Sequence, residues 1–207
     1  MKKFLFALLT ALLVLFAATA VGLAVIHISG QPFITDVDKL ELVESSGLSR
    51  EEIMENYNAV MRFLSPFINE PFDLPTLKYS QSGAGHFADC KPIFNGVYLL
   101  GAISALFLIL LARRKKLSPS LLRISGAVTL LIPSVFGVAV ITFFDTLFVK
   151  FHQLFFNNSD WLFDPDTDEI INILPEEFFM HCALFIAAFW VLSAIAQLAR
   201  GFLQKDK

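Results

Sequence analysis

The sequence predicts a mainly α membrane protein, with four transmembrane helices and a small extracytoplasmic α or α+β cap. Three observations point there. Of the 207 residues, 56% are hydrophobic and 23 are Phe, more apolar than the roughly half expected of a soluble domain. Four apolar runs, about 4–25, 94–112, 121–144 and 178–198, approach or exceed the roughly 20 residues a helix needs to cross a hydrocarbon core. Basic residues collect at one set of run ends: Lys2 and Lys3, then Arg113, Arg114, Lys115, Lys116 and Arg123, then Arg200, Lys205 and Lys207. Residues 1–207 are expected to form a single integral membrane domain.

Each run must be helical, because lipid offers no partner for free backbone groups. The first run is longer than the roughly 7–15-residue apolar core of a secretory signal, so it is read as an uncleaved span. The clustered Lys and Arg place both termini and the 113–120 loop in the cytoplasm of a bacterial cell membrane. Asp206 is the only acid on that side. Residues 26–93 and 145–177 then face outward. The net charge of −3 carries no footprint of a nucleic-acid partner.

The first outer segment reads as the cap. Ser49 followed by Glu52 is a capping box. Ile53, Tyr57, Val60, Met61 and Leu64 follow at helical spacing until Pro66 stops the pattern. Short strands are weakly signalled at 33–35 and 77–80. Gly83 and Gly85 permit backbone shapes that other residues resist, and His86 and Asp89 stand just before the second span. Pro133 is expected to kink the third span. Phe144, Phe148, Phe151 and Phe155 recur at helical intervals, so the third helix should run past Asp145 and set His152 near its end. Asp164 and Pro165 make a turn. Asp166 or Thr167 would cap a short helix through Leu174, and Pro175 suits the first turn of the fourth span. Cys90 and Cys182 fall near the outer boundary, where one disulfide is allowed. Two free, half-buried thiols are expected.

Candidate chemistry gathers in the two outer segments. His86 and His152 are predicted at one depth, and imidazole exchanges protons near neutral pH, about 6.5 when unperturbed. One ring can take a proton while the other donates a hydrogen bond; the bland alternative is two packed interfacial rings. Asp89 can orient an imidazole, pair with Lys91 or cap the second span. Asp164 and Asp168 can hold His152 in one tautomer or cap the short helix. Phe151, Phe155, Phe156, Trp161 and Phe163 line a pocket or belong to an interfacial aromatic belt. His27 and His181 read as structural. No HExxH or GxSxG is present. A mixed metal set of His86, Asp89, His152 and Asp164 is the weaker option, so neither a metal nor a cofactor is expected.

The segment from His86 to Lys91, the long stretch from Phe151 through Asn157 and Trp161 to Asp168, and the run from Leu174 to Phe179 resemble the bacterial lipoprotein intramolecular transacylase family. The likeness covers nearly the whole chain in layout. It departs at Cys90, where the family pattern has a small aliphatic residue. The resemblance implies transfer of the sn-2 acyl chain of a diacylglyceryl lipoprotein to the α-amine of its N-terminal cysteine, giving the lyso form. It implies catalysis by His86 and His152. Around them, Asp89, Asp164 and Asp168 are candidate orienting residues, Phe155, Phe156 and Trp161 candidate pocket walls, Lys91 and Asn157 further binding or orienting candidates, and membrane lipid a further partner. The rival readings are a metal-dependent membrane hydrolase and a non-enzymatic lipid- or partner-binding membrane protein.

Overall fold

The computed structural model describes residues 1–204; Lys205, Asp206 and Lys207, which enter the charge pattern, lie outside the described residues. The helices in order are α1 (Lys2–Ser29), α2 (Phe33–Lys39), α3 (Leu42–Ser46), α4 (Arg50–Leu64), α5 (Gln81–Arg113), α6 (Pro119–Phe155), a 3₁₀ turn (Glu169–Asn172) and α7 (Glu176–Leu203). Helices α1, α5, α6 and α7 are long and apolar enough to cross a membrane. No strand occurs among the described residues. The expected strand at 33–35 opens α2 instead, because Phe33 and Val37, one turn apart, both bury fully; a three-residue β-like run is too short to separate the two periods. Residues 77–80 stay irregular.

The fold packs as two compact units, one of Met1–Ala24, Val97–Thr142 and the chain from Ala183, the other of Val25–Gly96 and Phe143–Cys182. In the first unit many of the buried positions are small or polar, Ala7, Ala11, Ala194, Thr10, Ser125 and Thr129 among them, beside the aliphatic Leu121, Leu122 and Val140. Leu106 and Phe107 stand exposed. Gln197 accepts from Ser125 Oγ at 2.8 Å and donates to Thr129 Oγ1 at 3.1 Å, so each buried polar group finds a partner. Trp190 Nε1 donates to Thr19 Oγ1 at 2.9 Å.

The second unit has a large apolar core. Ser49 forms the predicted capping box with Glu52. The α4 face of Ile53, Tyr57, Val60 and Leu64 is buried, packed with Phe33, Ile170, Ile173 and Phe178. Phe33 stacks on Tyr57 with centroids 3.9 Å apart, and Phe178 meets Phe33 edge-on. Asn56 donates to Thr76 Oγ1, tying α4 to the irregular segment before α5. His181 Nδ1 lies 2.8 Å from Asp36 Oδ1, and His27 packs edge-on to Phe94, structural settings for both.

Two helices differ from the sequence expectation in ways that shape the site. α5 starts at Gln81, well before the apolar run. His86, Asp89 and both glycines are therefore helical, and Gly83 and Gly85 serve no turn. In α6 the one non-helical residue is Phe143 (φ −136°, ψ 31°), ten residues beyond Pro133. Thr142 Oγ1 donates back to Val138 O at 2.7 Å, a bond of the kind that bends helices. The helix resumes and carries His152 in its last turn. The short helix expected through Leu174 shrinks to the 3₁₀ turn, led by Asp168.

Candidate active site

The first turns of α5 and the last turns of α6 bring His86 and His152 together. Their ring centroids are 5.5 Å apart, although the residues lie far apart in sequence. Both side chains are 7% exposed. Aromatic rings wall them in. Trp161 stacks on His152 at 4.7 Å and 28°. Phe156 stands edge-on to His86 at 4.8 Å, and Phe163 does the same at 5.6 Å. Phe148, one turn before His152, lies 4.3 Å from it. The setting is buried and aromatic, and among the described residues neither ring has a carboxylate as hydrogen-bond partner.

The hydrogen bonds of the two imidazoles differ. His152 Nδ1 stands 2.7 Å from the Phe148 carbonyl oxygen. A carbonyl only accepts, so Nδ1 carries the hydrogen, and Nε2 of the neutral ring holds the lone pair. His86 Nε2 lies 3.5 Å from Cys90 Sγ, one helical turn on. His86 Nδ1 is buried with no hydrogen-bond partner among the described residues. Both thiols, Cys90 and Cys182, are free.

The remaining predicted residues fall into three groups. Phe156 and Trp161 line the pair. Among the described residues Asp89 forms no ion pair with Lys91 and no hydrogen bond to an imidazole; its Oδ2 accepts from Asn158 Nδ2 at 2.8 Å. Lys91 Nζ donates to Ile68 O at 2.7 Å and lies over the Phe63 ring. Asp164 shapes its own turn, accepting from Asp166 N and Asp168 N. Asp168 accepts from Ser80 N and Ser80 Oγ, both at 2.8 Å. The tautomer of His152 is thus set by the helix's own backbone, and the role expected of Asp164 and Asp168 passes to Phe148. Phe155 is 52% exposed and packs on Phe151. Asn157 is exposed, and its neighbour Asn158 makes the contacts, also accepting from Trp161 Nε1 through its carbonyl. Among the described residues no three His, Cys, Asp or Glu side chains converge as a metal donor set.

The model of the lipoprotein intramolecular transacylase Lit family matches residues 4–179. The chain belongs to that family. Its fold agrees with the solved structure of the membrane-integral lipoprotein intramolecular transacylase Lit of Bacillus cereus. The TM-score is 0.86 at 28% identity, over 96% of this chain and 93% of that one. Two further structures of the Bacillus cereus protein, with one histidine replaced by arginine or by alanine, give TM-scores of 0.76 and 0.75 at 28% identity. They cover 97% of this chain and 91% and 92% of theirs. No curated protein sequence matches. This transacylase is an acyltransferase and a multi-pass membrane protein.

Four contributors to the site had escaped the sequence reading: Phe148, Asn158, Ser80 and the placing of Cys90 against His86. Ser80 three residues before Gly83 was a readable helix start. Moving the start of α5 there puts His86 and Cys90 on one face, four residues apart.

Proposed function

We propose that this chain takes a diacylglyceryl-modified lipoprotein and moves its sn-2 acyl chain to the α-amine of the N-terminal cysteine. His152 acts as the base and His86 as the carbonyl donor. The observation that carries this reading is the His152 Nδ1 to Phe148 carbonyl bond, which leaves Nε2 as the acceptor on a ring 5.5 Å from His86. The histidine-replaced Bacillus cereus structures support a working histidine in the family.

The chemistry follows from elementary steps. An α-amine with a pKa of about 8 is largely protonated at neutral pH and must lose a proton to attack. That proton is lost to solvent; as the free amine attacks, His152 Nε2 takes one of its two remaining protons, a contribution of about 10²–10⁴-fold. The N–C bond forms at the ester carbonyl, and negative charge grows on its oxygen. His86 donates a hydrogen bond there. The tetrahedral centre collapses with cleavage of the C–O bond to glycerol, and the proton on His152 passes to the departing oxygen. Amide replaces ester, which is downhill without a nucleotide.

Attack closes a ring through N, Cα, Cβ, S, two glyceryl carbons, the ester oxygen and the acyl carbon. Such a ring closes poorly in free solution, so holding the folded conformer supplies much of the rate. Trp161, Phe156 and Phe163 form that mould and keep out the water that would hydrolyse the ester. Exposed Phe151, Leu154 and Phe155 offer an apolar approach for acyl chains. The charge pattern supports cytoplasmic termini, a site at the outer face, and one integral membrane domain.

The test is mass spectrometry of a diacyl reporter lipoprotein incubated with the enzyme in membranes. The wild-type chain should give the lyso, N-acylated product. His86→Ala and His152→Ala should each insert and fold yet lose at least about 10²-fold in rate. Full activity in either variant removes that histidine from the reaction. Binding of the reporter with unchanged acylation would turn the reading towards a non-enzymatic lipoprotein-binding protein.

A further inference from the structure

The loop 156–169 lies against the α5 segment that carries His86 and is fastened to it on both sides of that ring. On one side Asn158 donates to Asp89. On the other, Asp168, only 4% exposed, sits at the start of the helix. Its Oδ1 accepts from Ser80 N and Ser80 Oγ at 2.8 Å. Its Oδ2 lies 2.9 Å from Ser80 Oγ and accepts from Thr167 Oγ1 at 3.0 Å. Ser80 Oγ in turn accepts from Gly83 N at 2.9 Å. The carboxylate therefore reaches the helix N-terminus through a serine relay, where negative charge is favoured. A Cβ built on Gly83 would stand 2.0 Å from Asp168 Oδ1 and 2.9 Å from its carboxyl carbon. One residue along, Glu169 N donates to Lys78 O, and Lys78 N and Nζ both donate to the Glu169 carboxylate at 2.9 Å. Phe156 and Phe163, both against His86, belong to the loop held this way.

We propose that Asp168 is a positioning residue for acyl transfer. Through Ser80 it clasps the loop to the start of α5 and so fixes His86 against its aromatic wall and against His152. Position 83 is glycine because the clasping carboxylate lies where a side chain would be. The clasp acts on the geometry of His86 and touches no substrate. It is a deeper account of the acyl-transfer reading and rests on it for its kinetic arm.

The experiment compares Asp168→Ala, Gly83→Ala, the double variant and Asp168→Asn in membranes. Rate is read on the reporter lipoprotein, with kcat and KM separated. Alkylation of Cys90 by a maleimide is followed by peptide mass spectrometry. Each single Ala variant should lower kcat on the order of 10²-fold, the cost of an ångström-scale misplacement, with KM little changed. The double variant should be no worse than either one, because both break the same contact. Asp168→Asn, which keeps acceptor oxygen, should recover part of the loss. Cys90, beside His86, should label faster in the variants that open the clasp. Gly83→Ala relieves its own collision once Asp168 is gone, so a folded double variant is available even if the single one fails. Additive losses, wild-type kcat in Asp168→Ala, or unchanged Cys90 labelling would each overturn the clasp. If the wild-type chain left the reporter unmodified, the acyl-transfer reading would fail, while Cys90 labelling would still decide the clasp.

Discussion

The two units of this protein differ in the side chains they bury most deeply. In the unit built from Met1–Ala24, Val97–Thr142 and the chain from Ala183, the fully buried positions include Ala7, Ala11, Ala194, Ser125 and Thr129, while Leu106 and Phe107 point out. In the unit of Val25–Gly96 and Phe143–Cys182, the largest fully buried side chains are Tyr57, Phe33, Ile53, Ile170 and Ile173. The difference teaches which solvent each unit answers to. Lipid gives no hydrophobic reward for burying Leu, so helices there approach through small residues and interhelical hydrogen bonds. Water does give that reward, and the second unit gathers its rings inside.

The comparison breaks most visibly at an aromatic core position. Phe33→Ala should cost about 3–5 kcal/mol in reversible unfolding, whereas Leu106→Ala should change stability by less than about 0.5 kcal/mol. Equal effects in detergent micelles would erase the distinction. A middle-sized effect belongs to the polar seam of the first unit. Gln197→Leu strands Ser125 and Thr129 and should cost about 1 kcal/mol, measured by denaturation in micelles; a neutral result would mean that the seam merely fills space.

The smallest effect lies at the surface of the second unit. The Lys78 backbone N–H first, and its side chain second, hold the Glu169 carboxyl below its ordinary range. A depressed carboxylate contributes stability that is present above its unfolded value and is lost as pH falls through the folded one. Because Lys78 is largely exposed, Glu169→Gln should give a small loss that salt removes. Melting curves at two ionic strengths and at neutral and acid pH would check the sign.

Much of the fold was legible, for physical reasons that can be named. Twenty-odd apolar residues in a row have one solution in lipid, and Ser49 with Glu52 marks a helix start that nothing overrides. His86 and His152 were legible as a pair because each stands beside an apolar run, at the end predicted to face outward. What escaped depended on distance in the chain. Phe-Ile-Thr at 33–35 reads as β until Val37 is seen to share Phe33's buried face. The motif pointed to Asn157, yet its exposed neighbour Asn158, one residue further past the helix end, makes the bond to Asp89. Asp168 looked like a partner for His152 because it is near in sequence; its acceptors were already claimed by Ser80, 88 residues away.

The indole stacked on His152 has a practical outcome. The chain holds two tryptophans, and Trp161 lies face to face with the proposed base at 4.7 Å. An imidazolium quenches indole emission far more than a neutral imidazole does. Replacing Trp190 with Phe would leave a single fluorophore whose brightness follows, in real time, the charge on one ring.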